Sequence, residues 1–368
     1  CFGVIFTSSG VFRLHIYFIW GRVLSKLFKQ MRILGLSQQN SGCGYHRILL
    51  PLGYMNDIHG FVTNYPTPEI LNEGWDILYF NRLSVYDKDW SVFRNAMPNT
   101  KVIMDLDDHW VLPANHLQYY DYKEKFAPII ESNLRQADAV TCTNERLADK
   151  ILPFNKNVHV FKNAIPYGHN QFHEDKFTSD KIRIFWAGGA SHEADMELLR
   201  NPIKKLSVFK NDIQMVLAGY HDEDWLSKKV WSRMFSAFTS GGSLPYMKIR
   251  GALPINYMDA YANADIMLIP LENTEWHGMK SNLKILEAAA KKIPCVVSNV
   301  LPYNEDSDCP VLWVNSQKDW FIHIKDLILN PEKRKQLGEN LYEWAKKKYD
   351  IADVNKQRRQ VFADICKA

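Results

Sequence analysis

Several features that would mark a large functional class are missing from this chain, and each absence narrows what it does. Its 368 residues carry 45 Lys and Arg against 41 Asp and Glu, a formal charge of +4, and no short window gathers the basic residues into a stripe with interleaved aromatics. No nucleic-acid partner is expected, and the charge supports no more than a mild attraction to anionic surfaces. The six cysteines (Cys1, Cys43, Cys142, Cys295, Cys309, Cys366) form no CxxC pair and no Cys/His ligand spacing. That argues against a disulfide framework and a zinc site, and for a reducing, cytoplasmic setting. There is no internal repeat, low-complexity tract, or collagen or coiled-coil period. Near the start, Val11 to Trp20 is apolar apart from Arg13 and His15, short of the roughly 20 residues a bilayer-spanning helix needs. Trp20-Gly-Arg-Val-Leu is a poor cleavage site, so secretion is disfavoured. With Arg22, Lys26 and Lys29 behind it, the stretch fits either an extension outside the fold or a peripheral anchor at the inner face of a membrane.

What is present is the composition of an ordinary globular protein: 46% hydrophobic and 23% charged residues, enough to bury a core without a partner. The length suits about two domains. From Met31 onward short apolar runs alternate with helical patterns, the signature of parallel sheets covered on both faces. The first series of expected strands is Arg32 to Leu36, Ile77 to Phe80, Lys101 to Asp105, Ala139 to Thr143 and Val158 to Lys162. The second is Ile182 to Ala187, Ile213 to Ala218, Ile266 to Ile269, Cys295 to Ser298 and Val311 to Val314. Helices are expected at Phe126 to Gln136, Asp195 to Phe209 and Leu283 to Lys292. Two series in one chain predict an α/β protein of two doubly wound, Rossmann-like domains. The expected divisions are an extension at 1–30, a first domain at 31–168, a polar hinge at 169–181, a second domain at 182–345 and a closing helix at 346–368.

Open α/β sheets bind ligands beyond the carboxyl ends of their strands. The loop after the first strand of the first series is Ser41-Gly42-Cys-Gly44-Tyr-His-Arg47. Its glycines permit a tight turn and close approach to a ligand, but the third glycine of a dinucleotide fingerprint is missing, so a plain strand-to-helix turn stays equally open. The matching loop of the second series is Trp186-Ala-Gly188-Gly189-Ala-Ser-His192. There, backbone N–H groups and a helix start can meet an anion. Further on, Gly278-Met-Lys280-Ser281-Asn282-Leu283-Lys284-Ile-Leu-Glu287 joins a cation and small polar residues at one helix opening, which suits a diphosphate. Glu287 lies two turns on, where a carboxylate can accept from sugar hydroxyls. The plain alternative is a solvated surface helix. Asp105-Leu-Asp107-Asp108-His109-Trp110, directly after a strand, is either a metal-holding acidic pair, a set of groups that orients or deprotonates an acceptor, or a capped turn.

These residues resemble a known family. Trp186-Ala-Gly-Gly, Val216-Leu-Ala-Gly219, Tyr261-Ala-Asn-Ala-Asp265-Ile-Met-Leu-Ile-Pro270, Lys280-Ser-Asn-Leu-Lys-Ile-Leu-Glu287 and Pro294-Cys-Val-Val-Ser are similar to the donor domain of retaining GT-B glycosyltransferases, the group that includes bacterial mannosyl- and glucosyltransferases. Asp138-Ala-Val-Thr-Cys-Thr-Asn-Glu-Arg-Leu and Lys162-Asn-Ala-Ile-Pro resemble the end of that family's acceptor domain. The resemblance implies two domains facing across a cleft, closing helices from Pro331 onward, and transfer of a hexose from a nucleoside-diphosphate sugar with retention of configuration. The acceptor would be a hydroxyl on a glycan, a lipid-linked sugar or another molecule, and neither cofactor nor metal is implied.

Carried onto this chain, Lys280, the amides of Ser281, Asn282 and Leu283, and Gly188-Gly189 would hold the departing diphosphate. Glu287 would hold the ribose, and the backbone around Gly251 to Pro254, including Leu253, would meet the base. Gly42, Gly44, Arg47 and His192 would assist on the donor side, and Asp107, Asp108 or His109 would serve the acceptor. Two departures from the pattern stand out. Met279 occupies the place of a common first Glu, and Gly189 and Ala194 replace an Arg and a Lys. A sugar-nucleotide epimerase, a catalytically silent binding subunit and a metal-dependent GT-A transferase are the rival readings.

Overall fold

A computed structural model of the chain describes residues 15–17, 30–37, 41–83, 91–221 and 223–368. They form two compact units. The first comprises the described residues up to Ala164 together with Met279–Ser281 and Ile351–Ala368; the second comprises Ile165–Gly278 and Asn282–Asp350. The first unit carries a seven-stranded sheet in the order β1-β3-β2-β4-β5-β6-β7. Its strands are β1 (His15–Tyr17), β2 (Met31–Leu36), β3 (Ile58–Thr63), β4 (Ile77–Asn81), β5 (Lys101–Leu106), β6 (Ala139–Cys142) and β7 (Val158–Val160). All pair in parallel except β1, which runs antiparallel on β3 with Tyr17 opposite Phe61. The second unit carries β8 (Ile182–Ala187), β9 (Ile213–Tyr220), β10 (Tyr246–Arg250), β11 (Ile266–Ile269), β12 (Cys295–Ser298) and β13 (Leu312–Val314). They lie in the order β10-β9-β8-β11-β12-β13, all parallel.

The central strands are unbroken apolar runs because helices cover both of their faces. In the first unit Leu34, Leu78, Met104 and Val140 pack one face. On the other, Tyr79 meets Phe362 of the helix Ile351–Lys367, ring centroids 5.1 Å apart, and Asn355 of that helix donates to the Pro51 carbonyl at 2.8 Å. In the second unit Trp186, Met215, Trp231 and Ile266 belong to one core. Each sheet reverses its strand order once, between β2 and β4 and between β8 and β11. Those two switch points open the crevices where such sheets take ligands.

Ten expected strands are present with small shifts of their ends. Three strands were not expected, each for its own reason. β3 is broken as a pattern by His59 and Gly60. β10 is an edge strand whose residues alternate between exposed and half-buried, so it never reads as a buried run. β1 lies inside the stretch expected as an extension; the rest of Val11–Trp20, and Arg22, Lys26 and Lys29, lie outside the described residues. The single helix expected over Asp195 to Phe209 is instead Glu193–Glu197 and Arg200–Lys205 followed by a 3-10 turn, Leu206–Phe209. Pro202 accounts for the restart, because it cannot donate to a preceding turn but is tolerated near a helix start.

The segment 169–181, expected as a hinge, lies within the second unit. Phe172 is fully buried, the Gln171 side chain donates to Pro254 and accepts from the Met258 amide, and the Phe177 amide bonds the Ala262 carbonyl. Among the described residues, no helix is long and apolar enough to cross a membrane.

Candidate functional site

At the switch point of the first unit, Ser41 caps the loop by accepting from the Gly44 amide at 3.0 Å. Gly42 is exposed with open space around it, whereas a Cβ on Gly44 would collide with the Ser37 hydroxyl. Arg47, expected at the donor, points inward instead and is 1% exposed. Its guanidinium engages both oxygens of the buried Asp105, the Phe161 and Cys142 carbonyls and the Asn163 amide oxygen. Tyr79 and Thr141 hydroxyls add two more donors to Asp105. Arg47 is thus tied into the interior by Asp105 and three backbone or amide oxygens.

The neighbouring cluster centres on Arg82, which belongs to none of the motifs singled out above. Arg82 follows β4 directly and has φ 56°, in the left-handed region that costs a non-glycine residue about 1–3 kcal/mol. It donates to Asp107 at 2.8 Å, Asp108 at 3.2 Å, the Tyr122 hydroxyl at 3.0 Å and the Cys43 sulfur at 3.4 Å. Burial alone would raise the Asp107 carboxyl, but the Arg82 charge and hydrogen bonds from Arg82, Cys43 and Asn81 outweigh it and hold that carboxyl well below the usual range. Burial, in turn, pushes the Cys43 thiol far up, so it stays protonated. His109 stacks on Trp110 and accepts from the Val111 amide. The only advance signal for Arg82 was its place immediately after an apolar run at a switch point.

Residues 279–281 group with this first unit. Asn144 donates to the carbonyls of Met279 and Lys280, Asn163 donates to the Ser281 hydroxyl, and the Lys280 ammonium lies 3.5 Å from Asp108. The segment expected to serve the donor therefore opens among the carboxylates expected to serve the acceptor.

In the second unit the glycine loop after β8 is built against a cation, Lys284, to which no role was assigned above. Lys284, in the first turn of the helix Leu283–Ala290, donates to the Ala187 carbonyl and lies over the Trp186 ring, 5.4 Å from its centroid. A Cβ on Gly188 would come within 2.9 Å of the Lys284 nitrogen and 2.8 Å of the Trp186 ring. Gly219, at φ 93°, brings β9's end onto the Gly188 backbone where any side chain would collide. Gly189 has open space and precedes the turn Ala190–His192.

His192 is held by the buried Asp195 at 2.7 Å, and Asp195 also accepts from the Glu272 amide and lies 3.9 Å from His277. Burial works against ionisation of Asp195, but these partners prevail and its pKa is lowered. Asp195, Glu272 and His277 offer ligand atoms all within 4.8 Å of one another, the one such group among the described residues. A cation there would compete with the His192 bond. Asn282 opens the helix, Leu283 begins it, and both are half-buried. Glu287 is buried and accepts from the Tyr257 and Tyr261 hydroxyls; burial raises its pKa despite those bonds. Leu253, after β10, is 45% exposed.

Known proteins fit this geometry. Residues 181–330 match the family model described as glycosyl transferases group 1. Several solved structures share the fold. The sucrose-phosphate synthase of Thermosynechococcus elongatus is 13% identical with a TM-score of 0.64, over 91% of this chain and 99% of that one. Anabaena HepE, solved in complex with UDP-glucose, is 13% identical with a TM-score of 0.62, over 91% and 100%. TarM of S. aureus is 12% identical with a TM-score of 0.56 over 78% of this chain, which spans 54% of the length of TarM. No curated protein sequence matches significantly. The fold is that of the GT-B glycosyltransferases, two Rossmann-like α/β units in one chain.

Proposed function

We propose that the chain transfers a hexose from a nucleoside-diphosphate donor to a hydroxyl acceptor, with retention of configuration and without an obligatory metal. The observation that carries this reading is the Lys284 ammonium set against the Gly188 loop at the start of the helix Leu283–Ala290. As the glycosidic bond breaks, negative charge gathers on the diphosphate oxygens. A fixed cation and helix-start amides stabilise that state more than the bound donor. Gly188, Gly189, Asn282 and Leu283 supply backbone there, His192 adds a ring held by Asp195, Leu253 borders the base, and Glu287 serves the ribose through lone pairs its two tyrosines leave unused.

Acceptor handling falls to the first unit. Asp107 is too strongly stabilised as a carboxylate to take a proton at neutral pH. It braces Arg82, leaving Asp108, His109, Lys280 and Ser281 to meet the acceptor, a glycan, lipid-linked sugar or other hydroxyl compound. The proposed setting is the cytoplasm, with peripheral membrane contact where the acceptor is lipid-linked.

UDP-glucose is the first donor to try, because a similar fold was solved with it. Incubation with a panel of glycan and lipid acceptors, with product configuration read by NMR, should show an α-linked product from the α-linked donor, and EDTA should leave the rate unchanged. An inverted product would refute retention. Turnover of nucleotide sugar without acceptor would mark an epimerase, and tight nucleotide binding without turnover across UDP-, GDP- and ADP-sugars would mark a silent binding subunit.

A further inference from the structure

The second sheet has another polar cavity, at the opposite end from the glycine loop. It measures about 520 Å³, inside the range of small-molecule sites. Asp265, the residue before β11, and Pro294, the residue before β12, both line it, so it sits at the amino ends of the strands. Its remaining walls are the segment around Lys176, the turn Lys291–Lys292 and the opening of the helix Pro331–Tyr349.

The charge balance of this cavity is uneven once its internal pairs are set aside. Asp265 is taken by Arg183 in a two-pronged pair at 2.9 and 3.2 Å, Glu174 by Lys292, and the buried Lys291 by Asp175. Lys176, Arg334 and Lys335 remain. Among the described residues none of the three has a carboxylate within 4 Å, and Arg334 spends one nitrogen on the Leu327 carbonyl at 2.6 Å. Glu339 is the one lining carboxylate outside a close ion pair, so three cations stand against one anion. Burial depresses the Lys176 ammonium, and the Arg183 and Arg334 charges add to it, while Asp265 and Glu174 offset only part of the effect. The wall is closely packed: Lys292 has φ 51°, and Gly338 lets the helix pass so close to the Lys292 carbonyl that a Cβ would collide with it.

We propose that this cavity is an anion site for a phosphate-bearing ligand, separate from the glycine-loop end of the same sheet. Two lysines and an arginine match the charge and fork geometry of phosphate oxygens. A bound anion would tie the segment around Lys176 to the helix Pro331–Tyr349. The proposal stands independently of the donor reading, and the test keeps the two apart.

Calorimetric titration of the intact protein with pyrophosphate, at low salt, should reveal binding that weakens about tenfold or more in Lys176→Ala/Lys335→Ala. Both side chains are exposed, so that variant keeps its fold; Arg334→Gln is the second variant and should act in the same direction. The same event should persist in Lys284→Ala and in the presence of saturating UDP. A free phosphate compound and a lipid headgroup are distinguished by cosedimentation with phosphatidylcholine vesicles containing phosphatidylglycerol. Pelleting that depends on Lys176 and Lys335, with no pyrophosphate binding, assigns the site to a headgroup. Absence of both responses, or binding equal in wild type and double variant, overturns the proposal.

Discussion

The two sheets begin alike, each with a strand that runs into a pair of glycines, yet the two loops are put to different use. In the first unit the cation that follows the glycines, Arg47, turns inward and ties Asp105 to Cys142 and to the segment Phe161–Asn163. In the second unit the cation arrives from another element: Lys284 comes from a helix nearly a hundred residues further on and lies against the loop itself. A glycine pair specifies only that the backbone can turn and be approached. Whether the turn becomes framework or ligand site is decided by which charged side chain packs behind it, and that is a tertiary fact.

The sharpest way to break this comparison is to remove the two cations in parallel. Arg47→Ala leaves Asp105 as an uncompensated buried charge, and chemical denaturation should show a loss of about 3–5 kcal/mol, or failure to fold. Lys284→Ala should change the melting temperature little, because its ammonium meets a carbonyl and a ring face at the loop. Its kcat should fall on the order of 10²- to 10³-fold, the cost of losing one fixed charge-stabilising donor. Matching stability losses in both variants would mean that the second loop is framework as well, and the donor assignment would lose the cation it rests on.

Lys280 sharpens the contrast from the other side. Its ammonium lies beside Asp108 in the cluster that Arg82 organises, so Lys280→Ala should act mainly through the acceptor. KM for the acceptor should rise, with a smaller drop in kcat than Lys284→Ala gives and donor affinity within about twofold of wild type. Loss of donor affinity in Lys280→Ala but not in Lys284→Ala would reverse the two roles.

Much of the fold was legible because buried parallel strands are apolar runs of fixed length, and ten of them stand where such runs occur. What escaped was whatever depends on an edge or a partner. β10 alternates because one side is open, and β3 carries His59 and Gly60 because its neighbours β2 and β1, rather than its own composition, hold it. The site was legible as segments and not as contacts. The run from Lys280 to Glu287 drew attention as one motif, but residues 279–281 and 282–290 join different units, so the two lysines, four positions apart, do not share surroundings. Arg82 was invisible for the same reason: nothing local announces that one guanidinium will gather two carboxylates, a tyrosine and a cysteine.

The smallest expected effect is a pH dependence that separates two carboxylates shifted in opposite directions by their surroundings. Asp107 is held low, so the stability it contributes is present above the ordinary Asp pKa and is lost only as acid protonates it. Glu287 goes the other way. Burial raises its pKa above the usual Glu value, even though two tyrosine hydroxyls favour the charged form. The folded state therefore holds a proton on Glu287 where the unfolded chain has released it. Its favourable contribution is complete below the ordinary Glu pKa and declines as pH rises through the raised value. Glu287→Gln removes this titration while keeping the shape of the side chain. The melting temperature of wild type minus that of the variant should be largest in mild acid and should shrink toward neutral pH, as read by thermal scans between pH 4 and 8. Asp107→Asn should give the opposite slope in scans carried below the ordinary Asp pKa, the wild-type advantage growing as pH rises toward that value and level above it. A flat difference for Glu287→Gln would mean that the tyrosine bonds cancel the burial. The carboxylate would then be ready to meet a ribose at all working pH values.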